Sequence, residues 1–223
     1  MRFEQILHQS DAIAQIRETL AAGRIPHAWL FHGPRGVGKF STALAMARQL
    51  QCRAPQAGEP CEACPACRQS GHFNHPDIHV IPPTPAAPDT SAGEGQRSDF
   101  ITATLEALRR EPIFHLDESR PLEHRIRTMR WIKQEASRAV VVGPWKIFIL
   151  KTAGYLNNES ANAILKLLEE KGASEIMLFG GGVIPLSDVR ELKKLGVREL
   201  FRSGTNTADI VAFVKEEIGK KKT

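Results

Sequence analysis

Gly33-Pro-Arg-Gly-Val-Gly38-Lys39 fits the pattern G-x-x-x-x-G-K. Such a run takes up phosphate when it leaves a strand and opens a helix, because the backbone amides at the helix start then point at the anion and the lysine reaches the terminal phosphates. The flanks supply that context. His27-Ala-Trp-Leu-Phe-His32 reads as a short buried strand, and Phe40 to Leu50 as a helix with Leu44, Ala45 and Leu50 turned inward. The candidate nucleotide-binding residues are therefore Gly33, Pro34, Arg35, Gly36, Val37, Gly38 and Lys39, followed by Phe40 and Ser41.

The position after the lysine should carry a hydroxyl for magnesium. Here it is Phe40; Ser41 comes one residue late, a rotation of ~100° around a helix. A P-loop ATPase also needs carboxylates at the end of a later strand. The matching strand, Lys146 to Leu150, runs into Lys151 and Thr152. The expectation is a loop that can accept ATP or ADP, does not hold magnesium and does not hydrolyse ATP by itself.

All four cysteines lie close together: Cys52, Cys61, Cys64 and Cys67. Cys61-x-x-Cys64-x-x-Cys67 has the tight spacing that brings thiolates onto one metal, and Cys52 supplies a fourth ligand. Two disulfides would suit an exported chain, but the N-terminus, MRFEQILHQSD, shows no export signal. Four thiolates suit tetrahedral zinc, with no coordination position left for chemistry, so the expected role is structural. An iron–sulfur cluster is the less favoured alternative.

The remaining elements alternate between helix and strand. Residues 11–22 read as a helix capped by Asp11, with Ile13, Ile16 and Leu20 on one stripe and Gly23 ending it. Residues 76–81 and 146–150 read as strands. Residues 123–138 read as a basic amphipathic helix along Ile126, Met129 and Ile132 or Lys133, and 157–171 as a helix packing through Ala161, Ile164, Leu165 and Leu168. Residues 82–98, rich in Pro and Gly, read as a flexible insertion. Alternation of this kind predicts an α/β fold, a parallel three-layer P-loop sheet with a zinc module at 52–75. No apolar run approaches the ~20 residues of a membrane span, so a cytoplasmic chain without a membrane partner is expected. Thirty Lys+Arg against 25 Asp+Glu give only +5, but Arg109, Arg110, Arg120, Arg125, Arg127, Arg130, Lys133 and Arg138 gather in one stretch. That stretch suits either a solvated face or a track for a phosphate backbone.

Three runs together resemble the AAA+ clamp-loader subunits of bacterial DNA polymerase III: HAWLFHGPRGVGKFSTALAMARQLQC, then the cysteine module with HPDIHVIPP, then IRTMRWIKQEASRAVVVGPWKIFILKTAGYLNNESANAILKLLEE. The resemblance covers residues 1–170 of a domain taken to run over 1–171, and leans toward the delta-prime type, because the magnesium positions are degenerate, rather than the hydrolysing gamma/tau type. It implies a DNA-replication role. It also implies partners: other clamp-loader subunits, the sliding clamp and primer-template DNA.

From 172 to 223 the character changes. EIMLFGGGVIPLSDVRELKKLGVRELFRSGTNTADIVAFVKEEI resembles the C-terminal half of the cobalamin-binding domain of methylmalonyl-CoA mutase. In that resemblance Gly181, Gly182, Gly204 and Thr205 line the cofactor's pocket, and the strands 175–179 and 198–201 with helices 187–195 and 207–218 complete the sheet as βαβα units of Rossmann-like type. The histidine element that would ligate cobalt is not matched: Asp77-Ile-His79-Val-Ile-Pro82 ends in proline and belongs to a strand. Cobalamin binding is therefore not expected. Two alternatives to the clamp-loader reading remain, a cobalamin-dependent isomerase fragment and a non-functional fusion of two gene fragments.

Overall fold

Helical periodicity and β-branched runs alternate along the chain, and the computed structural model builds its elements from them. It describes residues 1–23, 25–86, 91–111, 116, 119, 121–170, 179–182 and 199–202. The chain divides into two units, Met1–Lys171 and Gly172–Thr223.

In the first unit a short 3-10 turn, Phe3–Gln5, precedes α1 (Ser10–Ala21). The P-loop leads into α2 (Lys39–Gln51), and the cysteine module contains α3 (Pro65–Gly71). Then come β1 (Ile78–Ile81), β2 (Thr84–Pro85), α4 (Ser91–Arg110), β3 (Leu122–Glu123), α5 (Ile126–Ala136), β4 (Ile147–Leu150) and α6 (Asn158–Glu170).

β1 and β4 pair in parallel, Ile78 opposite Ile147 through Ile81 opposite Leu150. Side chains alternate across a strand, so the pair has two packed faces. Ile78 and Ile149 meet Leu44 and Ala47 of α2 on one face. Ile81 meets Met129 and Ile132 of α5 and Leu167 of α6 on the other. This is the helix–sheet–helix layering that the alternation implied. A third cluster, Phe3, Ile6, Ile13, Ile16, Ala45 and Met46, fastens α1 to α2.

Several expectations need correction. Residues 27–32 join no ladder. Trp29 and Phe31 still turn inward onto the α1–α2 cluster and stack at 6.4 Å, while Leu30 is 69% exposed. The side-chain alternation of a strand is present without a strand beside it to bond. The supposed flexible insertion is ordered at both ends: Thr84–Pro85 pairs antiparallel with Leu122–Glu123, and Ser91 already begins α4. Phe100, Ile101, Thr104, Leu105 and Leu108 form a helical stripe, with Thr104 and Leu108 buried. Packing of that stripe outweighs the poor helix propensity of Gly93 and Gly95. α1 starts at Ser10 with Gln9 at the cap and Asp11 in its first turn. On α6 the inward residues are Ser160, Ile164 and Leu167 rather than Leu165 and Leu168; the Asn157 side chain caps the helix by accepting from the Ser160 amide at 2.9 Å.

In the second unit β5 (Phe179–Gly182) and β6 (Glu199–Arg202) pair in parallel. The expectation placed the glycine pair after a strand ending at Phe179. Instead Gly181 and Gly182 are strand residues, opposite Phe201 and Arg202. Among the described residues of this unit these two strands form a two-stranded sheet. The helices expected at 187–195 and 207–218, with Gly204 and Thr205, lie outside the described residues.

Candidate functional site

The P-loop backbone has the shape its glycines permit. Gly33, Gly36 and Gly38 have φ of 141°, 85° and 85°, conformations that side chains resist. Gly38 is also the N-cap of α2, and a Cβ there would lie 3.1 Å from Ile6 Cγ2. The amides of Gly36 and Gly38 donate to no group among the described residues. They form a set of donors at a helix start, which is what an anion needs. Lys39 folds over the loop, its ammonium donating to the carbonyls of Gly33 at 2.8 Å and Pro34 at 2.6 Å. The buried Thr42 hydroxyl donates to the Gly38 carbonyl at 2.9 Å and firms the first turn.

Phe40 stands where a magnesium-binding hydroxyl would be, and its ring packs into the core. It stacks on Phe73 with centroids 6.4 Å apart and planes within 8°. The Lys151 ammonium sits over the same ring, 4.5 Å from the centroid. Lys151 follows the last residue of β4, where a magnesium-holding carboxylate would otherwise stand. Its amide donates to Ile81 at 2.9 Å, and its carbonyl lies 3.0 Å from Nε2 of the buried His124. The next residue, Thr152, has φ of 58°, costly for a β-branched side chain. Burial lowers the pKa of Lys151 from its usual value. It equally pushes His124 below the ordinary histidine value.

The cysteine module forms a second centre. The Sγ atoms of Cys52, Cys61, Cys64 and Cys67 all lie within 4.8 Å of one another, with Cys61 and Cys67 4.0 Å apart. Four thiolates at ~2.3 Å from a tetrahedral ion would be about 3.8 Å apart, so the cluster fits zinc closely. Two sulfurs accept backbone amides: Cys61 N–H donates to Cys52 Sγ at 3.2 Å, and Cys64 N–H to Cys61 Sγ at 3.4 Å. Such bonds stabilise thiolate. Burial opposes ionisation of Cys64, but amide and thiol hydrogen bonds outweigh it and bring the thiol to about 6. Amide hydrogen bonds lower Cys61, whereas burial raises Cys52 and Cys67. All four are free thiols, not disulfides.

Polar residues that the motifs did not reveal hold these centres in place. The carboxylate of Glu59, buried in the module, accepts the amides of Phe3 at 2.9 Å and Glu4 at 3.2 Å and pairs with Arg17. Arg48, buried on α2, donates to the Met1 carbonyl at 2.7 Å and the Cys67 carbonyl at 3.3 Å. Asp77, fully buried at the start of β1, accepts the amides of Val141, Val142 and Gly143 at 2.7, 2.8 and 3.1 Å. Burial would raise its pKa, but those three donors prevail and hold it below the usual carboxylate value. A sequence signal existed only for Asp77, in the Pro76-Asp77 pair before an apolar run.

The structure also sorts the basic stretch. Arg109 donates to the His72 carbonyl at 2.6 Å, Arg125 pairs with Glu123, Lys133 with Glu170 at 2.6 Å, and Arg138 with Glu135 at 2.8 Å. Arg110 ends α4 and Arg127 and Arg130 lie exposed on α5, while Arg120 is outside the described residues. His79 lies in β1 between Phe148 at 5.0 Å and Trp131 at 5.3 Å, a place in an aromatic cluster rather than beside a corrin.

Residues 8–180 match the family described as DNA polymerase III, delta subunit. The chain belongs to that family. Among curated relatives it is 30% identical over 153 residues to DNA polymerase III subunit delta' of Pseudomonas aeruginosa, covering 69% of this chain and 36% of the relative. It is 27% identical over 162 residues to subunit delta' of Bacillus subtilis, covering 73% and 38%. It is 29% identical over 177 residues to subunit gamma/tau of Mycobacterium bovis, covering 79% and 25%. The chain thus spans well under half of the relatives' own length. These matches lend no support to the cobalamin resemblance of the C-terminal part. Among the described residues no helix is long and apolar enough to cross a membrane.

Proposed function

We propose that this member of the delta-subunit family serves DNA replication as a clamp-loader subunit of delta-prime type, an assembly and nucleotide-binding part rather than a hydrolytic one. The observation that carries the reading is the pair at the magnesium position. A glycine-rich loop with amide donors at a helix start is followed by a core-packed Phe40, and Lys151 follows the last residue of β4. Hydrolysis needs a metal-held phosphate and a positioned water, and neither residue offers an oxygen. The loop from Gly33 to Lys39 supplies amides and one ammonium for the phosphates of ATP or ADP. Ser41 follows too late on α2 to take over the missing hydroxyl.

Cys52, Cys61, Cys64 and Cys67 would hold a structural zinc ion, which supplies a cross-link between the end of α2 and α3 and no reactive position. The partners by this reading are the other subunits of the clamp-loader complex, the sliding clamp and primer-template DNA, in the cytoplasm. Arg127, Arg130 and Lys133 are the exposed cations of α5 and the residues by which this helix would meet a phosphate backbone.

Reconstitution with the other clamp-loader subunits of the same cell tests this. The expected result is stable incorporation, no ATPase activity of the isolated chain, and one zinc per chain by elemental analysis. Turnover of ATP by the isolated chain, lost in Lys39→Ala, would overturn the non-hydrolytic reading. Failure to join the complex would overturn the assembly role. A chain purified without zinc that melts at the same temperature after chelation would overturn the metal assignment.

A further inference from the structure

Lys151 is a half-buried ammonium with no carboxylate facing it and no hydrogen-bond acceptor among the described residues; its one described contact is the Phe40 ring. A charge in that state lowers stability unless something compensates it. The ring offsets part of the cost. The structure nevertheless spends further backbone strain to keep the residue there. Ile81 fixes its amide, His124 fixes its carbonyl, and Thr152 takes a left-handed conformation immediately after it. Strain that neighbouring contacts over-determine in this way marks a position the molecule uses. Phe40, which Lys151 covers, adjoins Lys39, and the amides of Gly36 and Gly38, without an acceptor among the described residues, lie in the same loop.

We propose that Lys151 takes the place of the divalent cation at this loop, so that the chain binds the diphosphate portion of a nucleotide without magnesium. The inference rests on the nucleotide-binding reading above and adds to it the source of the second positive charge. A P-loop normally neutralises its ligand with one lysine and one metal ion. Here both protein positions that would recruit the metal are filled, one by an aromatic ring and the other by an ammonium standing on that ring. Two lysines and a set of amides form an anion site complete without a metal. A fixed ammonium cannot leave with product or exchange, so the site holds nucleotide but does not polarise it for transfer.

The test is calorimetric titration of the full chain with ADP, with ATP and with inorganic pyrophosphate, in excess EDTA and in magnesium. ADP affinity should agree within about threefold between the two buffers, and Lys151→Met should weaken it about tenfold or more in EDTA while Lys151→Arg retains it. Pyrophosphate should compete with ADP; if ADP binds and pyrophosphate does not compete, the diphosphate is not what is held and the inference falls. Circular dichroism melts of each variant separate lost binding from lost folding, and an unfolded Lys151→Met is replaced by Lys151→Gln. Binding only in magnesium, or equal affinity in wild type and Lys151→Met, overturns the inference and leaves the nucleotide reading standing. No binding in either buffer, or binding unaffected by Lys39→Ala, overturns the nucleotide reading itself.

Discussion

Replacing Asp77 with Asn removes one acceptor and one charge from a fully buried position while keeping the side-chain volume. The wild-type carboxylate accepts three amides, at 2.7, 2.8 and 3.1 Å, from consecutive residues of the loop that leads into β4. Hydrogen bonds to an ionised group contribute about 1.5–3 kcal/mol each, and a buried donor left without an acceptor costs about 1–3 kcal/mol. The amide can keep one or two of the three bonds and turns its own N–H toward the remaining donor, so a loss of about 3–5 kcal/mol is expected. In a unit of this size that lowers Tm by roughly 6–20 °C. The pH dependence is the sharper part. The native carboxyl lies below its unfolded value of 3.8, so its contribution is fully present above that value and is lost as pH falls through the native pKa. Urea unfolding of wild type and Asp77→Asn at a series of pH values from neutral to 3 measures this. The difference between them should be constant above pH 5 and shrink toward the acid end. A difference under about 1 kcal/mol at neutral pH would refute the reasoning, and so would one that does not change with pH.

Three other perturbations follow. His75, His79 and His124 all lie below the ordinary value of 6.5, each chiefly through burial, so they stay neutral in the folded chain while the unfolded chain takes up protons. Stability should therefore fall as pH drops through 6.5, and His124→Gln should flatten that slope in the same urea series. Gly36→Ala and Gly38→Ala both force a left-handed alanine at φ 85°, an expected cost of about 1–2 kcal/mol each by thermal melt. Gly38→Ala should cost more than Gly36→Ala, because only its Cβ meets a neighbour, Ile6 Cγ2 at 3.1 Å. Met129→Ala should cost about 2–5 kcal/mol by urea unfolding, since Met129 is 2% exposed and packs with Ile81, Ile132 and Leu167.

What was legible in the sequence was whatever local chemistry dictates. The spacing of four cysteines announced their convergence, the glycines of the loop announced their φ values, and apolar periodicity located α2, α5, β1 and β4 to within a few residues. What failed was whatever depends on a distant neighbour. Residues 27–32 carry a strand's alternation, yet strand formation needs a bonded partner that no local pattern specifies. Residues 91–98 carry a linker's composition, yet the stripe ending at Leu108 draws them into a helix. Phe40 and Lys151 were each read as residues that cannot hold magnesium. That they touch is a fact of topology, since 111 positions separate them in the chain. Glu59 and Arg48 gave no signal at all, because a buried salt-bridging residue looks in sequence like any surface charge.

The helix α2 runs from Lys39 to Gln51, thirteen residues or about 20 Å, and the next residue is Cys52. One rigid rod therefore begins at the G-x-x-x-x-G-K loop and ends at a cysteine of the four-sulfur cluster, with Arg48 tying its last turn to Met1 and to Cys67. An oxidant that joins the thiols in pairs alters the far end of this rod and touches none of the loop's own atoms. Its mark would be a gradient of amide exchange along α2, fastest near Gln51 and fading toward Lys39. Thiol chemistry in the module would thus register as mechanical slack in the last turns of α2, attenuated by helix stiffness before it reaches the glycine-rich loop.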